Sequence, residues 1–166
     1  MVSVAGRMEG WTLSFEDFFT REYPAIYRAA YLGTGSHEAA KDVTQEAFAR
    51  AYSRWRRLEH RDWVGGWVMT TALNLCKKHH REANRSDSSV IKDQITTHHT
   101  WDRDLDLAAA LRSLPIRQRT AIVLTYLGDL PLPQIAHLMH ISEGTVKAHL
   151  AQGRDALRRS MGGTDD

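Results

Sequence analysis

Apolar residues recur at intervals of three and four along most of the chain, the period of helices packed on one side. Ser14 and Asp17 form a capping pair. Phe15, Phe18, Phe19, Ile26, Tyr27 and Ala30 then predict a helix to about Leu32, with Pro24 a candidate bend. GTGS at 33–36 breaks this helix, and Ser36 caps the next. From His37 to Trp55 the pattern turns Ala40, Val43, Ala47, Phe48 and Ala51 inward and Asp42, Gln45 and Glu46 outward. Gly65 and Gly66 mark a loop. A third helix is expected from near Trp67, with Val68, Ala72, Leu75 and Cys76 inward.

Residues 86–101 have no helical or strand period, and their Ser, Thr and Asp content marks a linker. Helical spacing resumes with Leu105, Ala108, Leu111 and Leu114. Pro115 suits the first turn of a further helix that runs to about Leu127 and closes at Gly128. Pro133 opens a short helix with Ile135, Leu138 and Met139 inward, a turn follows at His140 and Ile141, and Ser142 caps a last helix carrying Val146, Leu150 and Leu157. No segment alternates as a strand does. The expected fold is all-α: two small helical domains joined by a flexible linker, the second containing a helix-turn-helix at 131–159.

Composition narrows the classes. The chain has 166 residues, 42% hydrophobic and 25% charged, enough for one or two small domains. No apolar run reaches the ~18 to 20 residues of a bilayer span and no signal pattern opens the chain, so a cytoplasmic protein without membrane insertion is expected. The single cysteine, Cys76, excludes an internal disulfide and reads as a small buried hydrophobe. Net charge is only +2, but it is segregated: Arg50, Arg54, Arg56, Arg57 and Arg61 stand against Glu59 alone, whereas Asp87, Asp93, Asp102, Asp104 and Asp106 dominate the linker region.

Two surfaces carry candidate chemistry. The last helix turns out Thr145, Lys147, Ala148, Ala151, Gln152 and Arg154: Lys and Gln reach base edges, Arg reaches phosphate, and the alanines allow close approach to a major groove. A plain antiparallel helix pair is the simpler alternative. The third helix gathers Trp67, Thr70, Thr71, Asn74, Lys77, Lys78 and Arg81 on one face, and the Arg56–Gly66 loop adds Arg57, His60, Arg61 and Trp63. Rings for stacking beside cations for phosphate suit single-stranded nucleic acid. Core anchoring is the simpler role for any one of Trp55, Trp63 and Trp67. His79-His80 and His98-His99 lack the spacing of a metal site, and no phosphate loop, nucleophile elbow or HExxH motif is present; no metal, cofactor or enzymatic activity is expected.

DVTQEAFARAY at 42–52, WVMTTALN at 67–74 and LRSLPIRQRTAIVLTYLGDLPLPQIAHLMHISEGTVKAHLAQGRDALRR at 111–159 together resemble the extracytoplasmic-function sigma factors of bacterial RNA polymerase, over about residues 15–159. The resemblance implies a region 2 domain at about 12–85, a linker at 86–103 and a region 4 domain at about 104–160. It implies core RNA polymerase and promoter DNA as partners and admits an anti-sigma factor. Asp42, Gln45 and Glu46 match the polymerase-docking motif. The −10 element would be held by Arg57, His60, Trp63, Trp67, Asn74, Lys77, Lys78 and Arg81, and the −35 element read by Thr145, Lys147, Ala148, His149, Gln152 and Arg154. The chain departs from the common pattern at Thr70, Leu73 and Lys78, and at Lys147, His149 and Gln152, which bears on the bases preferred. The rival reading is a stand-alone helix-turn-helix regulator that binds duplex DNA as a dimer.

Overall fold

The computed structural model describes residues 13–85 and 102–162, and the elements among them are helices only: α1 (Phe15–Thr34), α2 (His37–Ser53), α3 (Trp55–Leu58), α4 (Val64–Arg85), α5 (Asp102–Ser113), α6 (Ile116–Tyr126), α7 (Leu132–Met139) and α8 (Glu143–Ser160). The linker expected over 86–101, with His98 and His99, lies outside the described residues.

Local chemistry sets the helix ends. The Ser14 hydroxyl accepts from the Asp17 N–H (3.1 Å), as the capping pair requires. α1 passes through Gly33 and Thr34 instead of stopping near Leu32, and ends at Gly35, whose φ of 71° only glycine adopts at little cost. Gly33 has to lack a side chain, because the Cys76 Sγ lies 2.8 Å from where a Cβ would stand.

Two further boundaries differ from expectation. α2 stops at Ser53, where the Arg54 N–H turns back to the Ala51 and Tyr52 carbonyls, and Trp55 instead starts the single turn of α3. α4 begins at Val64, so Gly65 and Gly66 occupy its first turn and not a loop. Two glycines cost helix propensity. Gly66 nonetheless belongs there, since the Leu130 and Leu138 methyls each sit 2.6 Å from its missing Cβ. A side chain would push two leucines of the C-terminal half away.

In the N-terminal half, α1, α2 and α4 bury Phe18, Ile26, Val68 and Leu73 almost completely, with Phe48 beside them. Trp55 anchors this core through its ring contacts with Phe18 (5.0 Å) and Phe15 (5.2 Å). In the C-terminal half, α8 packs on α6 where Ile122 reaches into the space over Gly153, and on α7. His140, in the left-handed region at φ 55°, ends α7, and the Ser142 hydroxyl caps α8 by accepting from the Thr145 N–H (3.1 Å).

The halves pack on each other. α5 lies along α1, and α4 meets α6 and α7. The Arg112 guanidinium covers Gly35, and Arg119, 8% exposed, comes close to Cys76. Arg119 Nε and Arg112 Nη1 are buried without a hydrogen-bond partner. Burial lowers the Arg119 pKa; the nearby thiol opposes that shift and Arg112 adds to it.

Burial also pushes the Cys76 thiol up to about 12, despite the Arg119 charge and a backbone hydrogen bond at Cys76 itself, while the thiol donates to the Ala30 carbonyl (3.7 Å). Its folded pKa exceeds the ordinary value of 9.0, so its contribution to stability is full below that value and declines as pH rises toward about 12. Chemical denaturation between neutral and alkaline pH should show this decline, and Cys76→Ala should flatten it. In the native protein the thiol should react with a thiol reagent only at the rate of unfolding.

Candidate nucleic-acid interface

The exposed face of α4 lies opposite the core residues Ala72, Leu73 and Cys76. Asn74, Lys78 and Arg81 are exposed on it, while Trp67, Thr70, Thr71 and Lys77 are half-buried. The Thr70 and Thr71 hydroxyls donate to the Gly66 and Trp67 carbonyls (2.8 Å each), so their donors are used within the helix. Lys78 forms an exposed ion pair with Glu82 (3.7 Å), weak enough to exchange for phosphate.

The two tryptophans differ. The Arg54 guanidinium lies 6.0 Å from the centre of the Trp67 ring, and its Nη1 donates to the Arg50 carbonyl at the end of α2 (3.4 Å). Trp67 therefore has a cation over one side. Trp63 is set apart from the α4 face: Arg61 lies 5.9 Å and His137 of α7 5.5 Å from its ring. Arg57 and His60 are exposed, His60 next to Glu59 (3.6 Å). Arg57 also lines an open basin of about 700 Å³ bounded by Tyr52 to Arg57. The structure thus unites the α4 residues, puts Arg57 at the α2–α3 corner and engages Trp63 with the C-terminal half. Arg54 and His137 escape sequence reading because each belongs to a different element from the ring it meets, Arg54 to the turn after α2 and His137 to α7.

On α8, Thr145, Lys147, Ala148, Ala151, Gln152 and Arg154 are exposed, around the buried Val146, Leu150 and Gly153. Gly144 meets only the Ser142 hydroxyl within 4 Å, which leaves the helix start open to close approach. Gln152 Oε1 accepts from Gln118 Nε2 of α6 (3.2 Å). The Arg154 Nε donates to the Leu150 carbonyl (3.2 Å), which turns this side chain back along its own helix. His149 is half-buried, with Nδ1 enclosed and unpartnered, at the edge of the outward face and not on it.

A third surface lies on α2. Asp42, Gln45 and Glu46 are exposed, and Ala40, Thr44, Ala47 and Ala51 opposite them are buried, Thr44 donating to the Ala40 carbonyl (2.7 Å). Glu46 is tied to Arg50 (2.8 Å). Tyr52, 66% exposed and braced edge-on by Phe15 (4.9 Å), continues the stripe toward the basin; it closes the segment DVTQEAFARAY, in which the sequence singles out only Asp42, Gln45 and Glu46. His80 Nε2 bonds the Gly33 carbonyl (2.8 Å), a structural role. Among the described residues no group of three His, Cys, Asp or Glu side chains could hold a metal ion, and no helix is long and apolar enough to cross a membrane.

The family described as sigma-70 region 2 matches residues 18–86, and sigma-70, region 4 matches residues 104–157. The chain is 26% identical over 162 residues to the ECF RNA polymerase sigma factor SigM of Mycobacterium tuberculosis, covering 96% of this chain and 83% of that protein. It is 28% identical over 166 residues to the ECF RNA polymerase sigma factor SigW of Bacillus subtilis, covering 89% of each. In fold it is similar to the sigma factor RpoE from Bartonella quintana, solved in complex with the anti-sigma factor NepR, with a TM-score of 0.68 at 21% identity over 89% of this chain and 96% of that one.

The three-helix core carrying an exposed α4 face and the helix-turn-helix behind it are thus the two matched regions of one family, and the chain belongs to the sigma-70 factors of RNA polymerase. Within them it is an extracytoplasmic-function sigma factor. If α8 reads bases through Lys147 and Gln152, alanine at either should cost ~1 to 3 kcal/mol at the cognate −35 site and relax preference at one or two positions, while Arg154→Ala should weaken all sequences alike. Gln118→Ala, which releases Gln152, should reproduce part of the Gln152→Ala change in preference. Binding to a library of −35 variants by holoenzyme measures all four.

Proposed function

We propose that this sigma factor docks on core polymerase through Asp42, Gln45 and Glu46 on α2, reads the −35 element with α8, and holds unstacked −10 bases with the α4 face and the Arg57–Trp63 segment. Region 2 would span about residues 12–85 and region 4 about 104–160. The protein would work in the cytoplasm and catalyse no reaction of its own. An anti-sigma factor is a further expected partner, as the name of the Bartonella complex records for its own sigma factor.

One observation carries the reading: three helices each spend one side on the core and leave the other exposed with chemistry the core does not need. The α2 stripe is acid, amide and acid, which suits arginines on a partner helix through charge-assisted hydrogen bonds. The α4 face joins an indole, an amide and three cations, the combination that stacks bases and follows phosphates. The α8 face centres on two alanines, with Lys147 and Gln152 flanking them, so a helix can approach base edges closely.

Asp42→Arg combined with Glu46→Arg should leave the helical content unchanged, because both positions are exposed, and should abolish association with core polymerase together with promoter-directed run-off transcription. Holoenzyme assembly at wild-type affinity by the double variant would move the docking surface elsewhere. A wild-type chain that ignores core polymerase and binds duplex DNA as a dimer would instead be the stand-alone regulator.

Asn74→Ala should leave initial polymerase binding to the promoter nearly intact and impair strand opening, read as lost permanganate reactivity of promoter thymines. Trp63→Ala should do the same, provided that its circular dichroism and melting match the wild type; unaltered reactivity in both variants rejects the single-strand role.

A further inference from the structure

Of the four longest helices described, three start on a serine that accepts a backbone N–H: Ser14 for α1, Ser36 for α2 and Ser142 for α8. The fourth, α4, does not. The residue before its first turn is Trp63, whose carbonyl accepts from the Trp67 N–H (2.9 Å) and whose indole has no acceptor to offer the amides above it. Among the described residues no hydrogen bond takes up the Gly65 or Gly66 N–H. The start of α4 therefore carries the partial positive charge of unpaired amides, with no cap from its own stretch of sequence.

What stands there instead is Glu22 of α1. Its Oε2 lies 2.9 Å from where a Gly65 Cβ would be, and its Oε1 accepts from the Arg21 Nε at 2.9 Å. The side chain is only 13% exposed, so this is not a solvated charge that happens to pass the helix. Nucleic acid does not account for it either, because a carboxylate beside a surface for phosphates repels them. We propose that Glu22 is a positioning residue for −10 capture: it supplies from α1 the negative charge that α4 lacks at its start, and thereby holds the turn that carries Trp63 and Trp67.

The division of labour has a physical reason. The position before a helix is the natural place for Ser, Thr, Asp or Asn, none of which can stack on a base. Giving it to an indole leaves the helix free to fray in the very turn whose two rings are to hold bases. A carboxylate at a helix N-terminus opposes fraying, most strongly where it is partly buried. Gly65 is the second half of the arrangement. A side chain there would displace the Glu22 carboxylate, which is the end of a flexible chain and would swing away at little cost to the core. Arg21 holds Oε1 and leaves Oε2 for α4. The proposal deepens the −10 role given above to this turn, and rests on it.

The test pairs amide hydrogen exchange of the full chain with permanganate footprinting of its holoenzyme. Glu22→Gln, which keeps the size and removes the charge, should speed exchange of the Trp67 and Val68 amides about two- to five-fold and leave the amides beyond Asn74 unchanged. In holoenzyme it should lower the permanganate reactivity of promoter thymines with core binding intact, and Glu22→Asp, which keeps the charge, should preserve most of both. Gly65→Ala separates positioning from simple helix stability. Alanine favours a helix, so stability alone predicts slower exchange, whereas displacement of Glu22 predicts the faster exchange and weaker opening of Glu22→Gln. Unchanged exchange in Glu22→Gln, or slower exchange in Gly65→Ala, would overturn the proposal. So would normal reactivity in Glu22→Gln where Asn74→Ala loses it. Normal reactivity in Asn74→Ala and Trp63→Ala as well would reject the −10 reading itself and the positioning role with it, and faster exchange would then leave Glu22 a helix cap and no more.

Discussion

The fold hangs on the inner side of α4, which has to satisfy two sets of neighbours at once. Val68, Ala72 and Cys76 are small enough for α1 and α2 to close around them, and the Cys76 sulfur fits only because Gly33 opposes it. At the N-terminal end of the same helix, Gly66 takes the methyls of Leu130 and Leu138, and Met69 approaches Gly128. Interiors packed to crystal-like density accept little change of volume, so these small residues set how near the other helices come. With its inner side committed in this way, α4 is held rigidly enough for its outer side to present Asn74, Lys78 and Arg81 in a fixed order.

The contact between the halves is held by shape and opposed by charge. Leucines filling the space over a glycine favour it, while two buried guanidinium nitrogens without acceptors count against it. His137 stands against the Trp63 ring, where a stacking base would otherwise lie. A role for Trp63 in holding promoter bases therefore requires α7 to move off it, and the uncompensated Arg112 and Arg119 lower the cost of that separation.

Much of this was legible in the residues. The period of Ala40, Val43, Ala47 and Ala51 separated the buried side of α2 from the side bearing Asp42, Gln45 and Glu46, and Ser14, Ser36 and Ser142 marked the helix starts where caps are found. Gly65 and Gly66 misled, because a glycine pair reads as a break unless the residues that close over it are known, and Leu130 and Leu138 lie more than sixty residues further along the chain. The packing of one half on the other was hidden for the same reason: Arg112, Leu130 and His137 each look like ordinary members of their own helix. Within the candidate surfaces, exposure followed from periodicity, whereas the pairings Arg54 with Trp67, Trp63 with His137 and Gln118 with Gln152 did not, since each joins different elements.

The glycine at position 66 also bears on how such chains diversify. Recombination that grafted the C-terminal half onto a different N-terminal half would bring Leu130 and Leu138 against whatever residue begins the equivalent helix. Any side chain there stands where those methyls now lie, 2.6 Å from the position of its Cβ. The halves of this chain are therefore matched at this point, and a graft carrying a side chain there would close only after the two leucine side chains turned aside.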